Sequence, residues 1–208
     1  MTAVAPQRVV VGSLDTNCWI VRAEGARQAL LVDPGDEAER VLAAVAGLDV
    51  TAIVLTHTHY DHVLGVAPVA AALGVPVLGH AEEEAVWRHE LAHLAEHGHF
   101  DAGTATDELL AEGRPPRPTA ELWSGDLDGH LTDGQVLQVG PLRVEVLHTP
   151  GHTPGGVSLS ADGHVFTGDT LFPGGSKRLT SSKDLTGLGE LRIPRTGPPE
   201  TSGGPVSL

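Results

Sequence analysis

Between residues 56 and 62 the chain reads Thr56-His57-Thr58-His59-Tyr60-Asp61-His62, three imidazoles and one carboxylate in a single short segment. Neutral imidazole and carboxylate form an N/O donor set that suits zinc, iron or manganese and not a metal that selects thiolates. Side chains alternate along extended chain, so His57, His59 and Asp61 point to one side, and His62 turns toward it where the backbone bends into a helix. A polar loop whose histidines merely cap that helix is the plainer reading. Two later segments weigh against it. Thr149-Pro150-Gly151-His152-Thr153-Pro154-Gly155 sets His152 on a tight turn, and Thr167-Gly168-Asp169-Thr170 offers the Asp169 carboxylate beside a glycine that permits close backbone approach.

Such a site needs rigid elements behind it, and each of the three segments follows a stretch of strand character. Residues 8–20 read as strand, turn at Gly12-Ser13, and strand; residues 28–33 form a further apolar run closed by Pro34-Gly35. Asp36 to Leu48 has apolar residues at spacings of three and four, which predicts a helix capped by Asp36. Val50 to Thr56 is continuous, apolar and β-branched, the pattern of a buried strand, and is followed by a helix over 65–73 and a strand over Val75 to Leu78. After residue 129 the runs Gln135 to Val139, Leu142 to His148, Val157 to Ser160 and His164 to Thr167 are punctuated by Gly140-Pro141 and Asp162-Gly163, so this half is mainly β. Strands alternating with helices place the chain in the α/β class.

Residues 81–129 stand apart. They open with a helical stretch, pass through a Pro-rich linker from Arg114 to Pro118 and carry no strand pattern, as expected of a helical insertion or lid. His89, His93 and His97 share one face of that helix; a solvated face is the preferred reading, with Trp87 and Leu91 packing inward. The insertion lies between the ligand segments and so is placed to line a substrate cleft.

Composition narrows the function classes. Thirteen Lys+Arg against 27 Asp+Glu give a net charge of −14 over 208 residues, which repels nucleic acid and anionic membrane surfaces. Neither an apolar run long enough to span a membrane nor a secretory leader is apparent, and the single Cys18 excludes disulfide frameworks and Cys-x-x-Cys zinc sites. The expectation is a cytoplasmic protein acting on a small molecule. Residues 173–208 differ from the rest: they are rich in Gly, Pro, Ser and Thr, and carry five of the 13 basic and three of the 27 acidic residues.

The pattern His-x-His-x-Asp-His at 57–62, the turn at 149–155 and Phe-Thr-Gly-Asp-Thr-Leu-Phe at 166–172 resemble the metallo-β-lactamase superfamily, specifically its glyoxalase II-like hydrolases. Asn17-Cys18-Trp19 and Val32-Asp33-Pro34-Gly35 fit as well, so the likeness covers residues 8–172. It implies an αβ/βα four-layer sandwich, incomplete at its C-terminus, with residues 1–172 as the domain and 173–208 as an atypical tail. His57, His59 and His152 would bind a first Zn2+, with Asp61 and His62 on a second and Asp169 bridging. One or two zinc ions, or iron or manganese, would generate a hydroxide that attacks a thioester or related acyl carbonyl, with Asp61 as the catalytic carboxylate. His148 and Asp33 would take structural or supporting roles.

The sequence also departs from that family. Dinuclear members carry a further ligand histidine after the Gly-Asp-Thr segment, whereas the last histidine here is His164. The tail therefore reads as a truncated or frame-shifted ending, and the helical domain that holds glutathione in glyoxalase II has no counterpart. Lys177 could meet an anionic substrate, although an exposed tail lysine is the plainer reading. Three functions follow in order: a metallo-hydrolase, a metal-binding protein impaired by the missing ligand, and a mononuclear iron persulfide dioxygenase held by His57, His152 and Asp169.

Overall fold

In the computed structural model, which describes residues 3–98, 100, 121–171 and 206–207, the strands form two sheets. The first runs in the order β1 (Gln7–Val11), β2 (Thr16–Arg22), β3 (Gln28–Val32), β4 (Asp49–Val54), β5 (Val77–His80) and β6 (Gly129–Leu131). Its first three strands pair antiparallel and the rest parallel. Parallel pairing needs crossovers. These are supplied by α1 (Ala38–Ala44), by α2 (Tyr60–Val63) with α3 (Val66–Leu73), and by the segment that begins with α4 (Glu83–His97).

The second sheet contains β7 (Val136–Val139), β8 (Leu142–His148), β9 (Val157–Ala161) and β10 (His164–Phe166), with β11 (Val206–Ser207) beside β7. Burial explains the sequence patterns. In β3, Ala29 and Leu31 pack toward Val41, Val66 and Trp87, while Leu30 and Val32 pack toward Val144, Val146 and Leu159 of the second sheet. Both faces of β3 are covered, so it reads as one apolar run. β8 alternates, with Leu142, Val144 and Val146 buried and Arg143 and Glu145 exposed. Helices, sheet and sheet give, among the described residues, three layers of the expected αβ/βα four-layer sandwich, with α1 to α4 all packed on the first sheet.

Four elements differ from expectation. α1 starts two residues after Asp36, because Glu37 has φ 47° and Asp36 accepts its N–H at 2.7 Å, and it ends at Ala44 and not Leu48, the N–H groups of Ala46 and Leu48 turning to Ala43 and Val45. β5 begins after Pro76, which has no N–H to give to a ladder. β6 has three residues and no apolar period; its pairing with β5 is what makes it a strand. β11 pairs parallel to β7 inside the segment expected to lack pattern. The linker from Arg114 to Pro118, Lys177 and the rest of the tail apart from β11 lie outside the described residues.

Candidate metal centre

Loops from both sheets build the site. His57 and His59 follow β4, His62 lies in the single turn of α2, His152 sits between β8 and β9, and Asp169 is in a 3-10 turn, Gly168–Thr170, after β10. β8 and β10 are both antiparallel to β9, so their C-terminal ends emerge at one edge of the second sheet. The Val157 N–H donates to the Thr56 carbonyl at 2.8 Å and joins that edge to the end of β4.

The five side chains converge. His59 Nδ1 lies 2.9 Å from His152 Nε2, and His62 Nε2 lies 3.3 Å from Asp169 Oδ1. The other Asp169 oxygen is 3.6 Å from His152 Nε2, so this carboxylate reaches both neighbours. The His57 ring has its centroid 4.9, 4.1 and 4.8 Å from those of His59, His62 and His152. Donor atoms of His57, His59 and His152 all lie within 4.8 Å of one another, as do those of His57, His62 and Asp169. Asp61 belongs to neither group. It stands at the edge, with Oδ2 3.4 Å from His62 Nε2 and accepting the Thr16 hydroxyl at 2.7 Å.

One buried carboxylate orients two imidazoles. Asp33 Oδ1 accepts the Thr56 N–H at 2.7 Å, and Asp33 Oδ2 accepts the Thr56 hydroxyl at 2.6 Å. With its proton so committed, the Thr56 oxygen can only accept from His57 Nδ1, 3.1 Å away, which leaves the lone pair of His57 on Nε2. His62 Nδ1 likewise donates to Asp33 Oδ2 at 3.0 Å, which leaves Nε2 to face Asp61 and Asp169. His57 Nε2 is buried and has no hydrogen-bond partner. An orphaned acceptor of this kind, aimed among histidines and a carboxylate, fits a divalent cation.

The electrostatics agree with that fit. Burial, reinforced by the neighbouring imidazoles, holds His57 well below the ordinary histidine pKa, and burial with His152 pushes His59 down to about 4. Both rings are neutral at pH 7 and can act as ligands. Burial alone would lower His62 too, but Asp61, Asp33 and Asp169 outweigh it and raise the pKa well above its ordinary value. Burial disfavours the Asp169 anion, yet His62 and the other imidazoles hold its pKa down.

Three sets of residues stand outside this cluster. His148 donates from Nε2 to the Pro154 carbonyl at 3.0 Å, and its ring stacks on that of His80. His80, Glu82 and His148 do bring donor atoms within 4.8 Å, but the two rings are only 7° from parallel, so their in-plane lone pairs do not converge. His93 and His97 are neighbours along α4, with ring centroids 4.3 Å apart, and form no three-ligand group among the described residues. Trp87 and Leu91 pack α4 against the first core. Two contributors had no sequence signal: Thr16, which holds Asp61, and Glu83, a buried acid bonded to Thr58 and Gly155.

Comparison with known proteins adds an independent result. The sequence model of the metallo-beta-lactamase superfamily matches residues 11–204. A hydroxyacylglutathione hydrolase of Aeromonas hydrophila subsp. hydrophila is 34% identical over 168 residues, 79% of this chain and 50% of that protein; the chain thus spans half of that relative's length. Among solved structures, the B3 metallo-beta-lactamase BLEG-1 is similar with a TM-score of 0.64 at 29% identity, covering 81% of this chain and 74% of that one. TTHA1623 in a di-iron-bound form gives a TM-score of 0.56 at 33% identity, covering 83% and 76%.

Proposed function

Because the chain belongs to the metallo-beta-lactamase superfamily, we propose that it is a metal-dependent hydrolase of a thioester or related acyl bond. Its ion is zinc, one or two per chain, with iron or manganese able to replace it. The observation that carries this reading is the convergence of imidazoles and Asp169 around the buried, unpartnered Nε2 of His57. Left unpaired, such an atom costs on the order of 1–3 kcal/mol, which a bound cation removes. His57, His59 and His152 would hold one ion, His62 and Asp61 a second, with Asp169 reaching both. The ion supplies Lewis acidity, which lowers the pKa of water toward neutrality and polarises a carbonyl. Similarity to a hydroxyacylglutathione hydrolase supports the acyl class, and the di-iron neighbour supports iron as an alternative.

The chain's own residues orient the reactants and handle protons. Asp61 has 19% of its side chain exposed and one oxygen anchored by Thr16; we assign it to orienting the attacking water and taking its proton. Oxygen from water joins the acyl carbon, the C–S bond breaks with its electron pair on sulfur, and the thiolate takes up a proton, giving a carboxylic acid and a thiol. A protein thiol nucleophile does not enter. Cys18 is fully buried, and burial, helped by Asp33, pushes its pKa up, so the sulfur stays protonated and inaccessible.

The test is thiol release from a hydroxyacylglutathione thioester and from a short acyl thioester, using the full chain loaded in parallel with Zn2+, Fe2+ or Mn2+. Metal-dependent release in the wild type and its loss in His57→Ala is the expected result. A wild type that binds none of these ions, or a His57→Ala variant as fast as wild type, overturns the proposal.

A further inference from the structure

Glu83, at the start of α4, is fully buried, and its carboxylate joins two loops that carry candidate ligands. Oε2 accepts the Thr58 N–H at 2.8 Å and lies 3.1 Å from the Thr58 hydroxyl, which is also 2.8 Å from the Glu83 carbonyl. Oε1 accepts the Gly155 N–H at 2.9 Å. Thr58 stands between His57 and His59, and Gly155 closes the turn that bears His152. A carboxylate removed from water is costly unless charge-assisted hydrogen bonds replace its hydration, and here those bonds come from two loops of opposite sheets. The approach is close: a Cβ on Gly155 would lie 2.9 Å from both Glu83 Oε1 and His80 Nδ1.

The division of labour is distinctive. Asp33 orients His57 and His62, but neither of its hydrogen-bonded partners, Thr56 and His62, belongs to the loop of His152. The bond from Val157 to Thr56 also joins the sheets, but at the first residue of β9, where that loop has ended. Glu83 instead bonds Thr58, the residue before His59, and Gly155, in the turn of His152, the two histidines that approach to 2.9 Å. We propose that Glu83 is a positioning residue that sets the spacing of His59 and His152, and through it the affinity of the three-histidine group for its ion. The inference rests on the metal-centre reading above.

Glu83→Gln keeps the size and removes the charge, and its amide nitrogen must face an N–H donor, so one loop is released. A double-mutant cycle with His152→Ala separates positioning from general packing. Zn2+ affinity is read by competition with a chromophoric chelator, well below each variant's melting midpoint. The expected loss in Glu83→Gln is about tenfold or more in the wild-type background, the range seen when supports of metal ligands are removed. In the His152→Ala background, where the histidine whose spacing Glu83 sets is gone, the same substitution is expected to cost much less, the two losses differing by more than the roughly twofold scatter of independent sites. Glu83→Asp, which keeps the charge and withdraws it by one methylene, provides the same comparison where the Gln variant does not fold. Equal losses in both backgrounds, or no loss in the first, overturn the inference. A wild type that binds no Zn2+ removes the metal-centre reading instead, and the inference with it.

Discussion

At the scale of single residues, the centre is organised by carboxylates that share the histidines between them. Asp33 adopts φ 49°, a left-handed backbone that Asn also tolerates, so Asp33→Asn removes the charge with little backbone cost. Its amide would oppose one of the donors from Thr56 or His62, and we expect metal affinity to fall about 10- to 100-fold, measured by chelator competition. The same substitution has a protonic readout. His62 has its pKa raised above the ordinary value, so it is charged at pH 7 in the metal-free protein and must lose a proton to become a ligand. His57 and His59, with lowered pKa values, have none to lose at that pH. Loading the wild type at pH 7 should release about one proton through His62, and apparent affinity should rise with pH through the raised pKa. Asp33→Asn, lacking one of the stabilising carboxylates, should release fewer. Calorimetry in buffers of different ionisation enthalpy checks this, and equal release from both proteins would remove the role given to Asp33.

At the scale of elements, ligand placement depends on how tightly turns can approach. Gly168 has φ 49°, and a Cβ there would lie 2.8 Å from Thr56 Cβ and overlap its hydroxyl. Gly168→Ala should therefore displace the 3-10 turn that carries Asp169 and disturb the bond from Thr56 to Asp33. We expect a loss of at least about 1–2 kcal/mol from the left-handed backbone alone, seen as a lower chemical-denaturation midpoint, together with weaker metal binding. Unchanged stability and affinity would show that the turn is not strained against Thr56. The glycine was legible in the sequence because it lies within a ligand segment. Strands β4 and β8 were legible for a related reason: β4 ends in Ala52, Ile53 and Val54, apolar and buried on both faces, and β8 alternates with one face exposed. Elements defined by a neighbour were not. β6 exists through its pairing with β5, and the start of α1 was set by the left-handed Glu37. Glu83 was hidden for the same reason, since an acid in the first turn of a helix ordinarily signals a favourable dipole contact and not a bridge between distant loops.

At the scale of the whole molecule, the centre joins sheets that otherwise meet chiefly through apolar side chains. His57, His59 and His62 come from the end of β4 in the first sheet, and His152 and Asp169 from the ends of β8 and β10 in the second. An ion held by both sets acts as a cross-link between layers, and one that binds only the folded arrangement stabilises it by mass action. With free ion at a hundredfold its dissociation constant, the gain is about 2.7 kcal/mol. For a chain of this size each kcal/mol moves the melting midpoint by about 2–4 °C, so stripping the ion should lower it by roughly 5–10 °C. A net charge of −14 offers a competing explanation, because any divalent cation relieves some self-repulsion. The two differ in specificity. Screening would be reproduced by Mg2+ or by monovalent salt at equal ionic strength and would persist undiminished in His57→Ala, whereas the cross-link requires Zn2+, Fe2+ or Mn2+ and is weakened in that variant. Calorimetric scans of both proteins with and without each ion separate them, and a shift that is undiminished in His57→Ala and equally produced by Mg2+ would mean that the sheets are not joined through this centre.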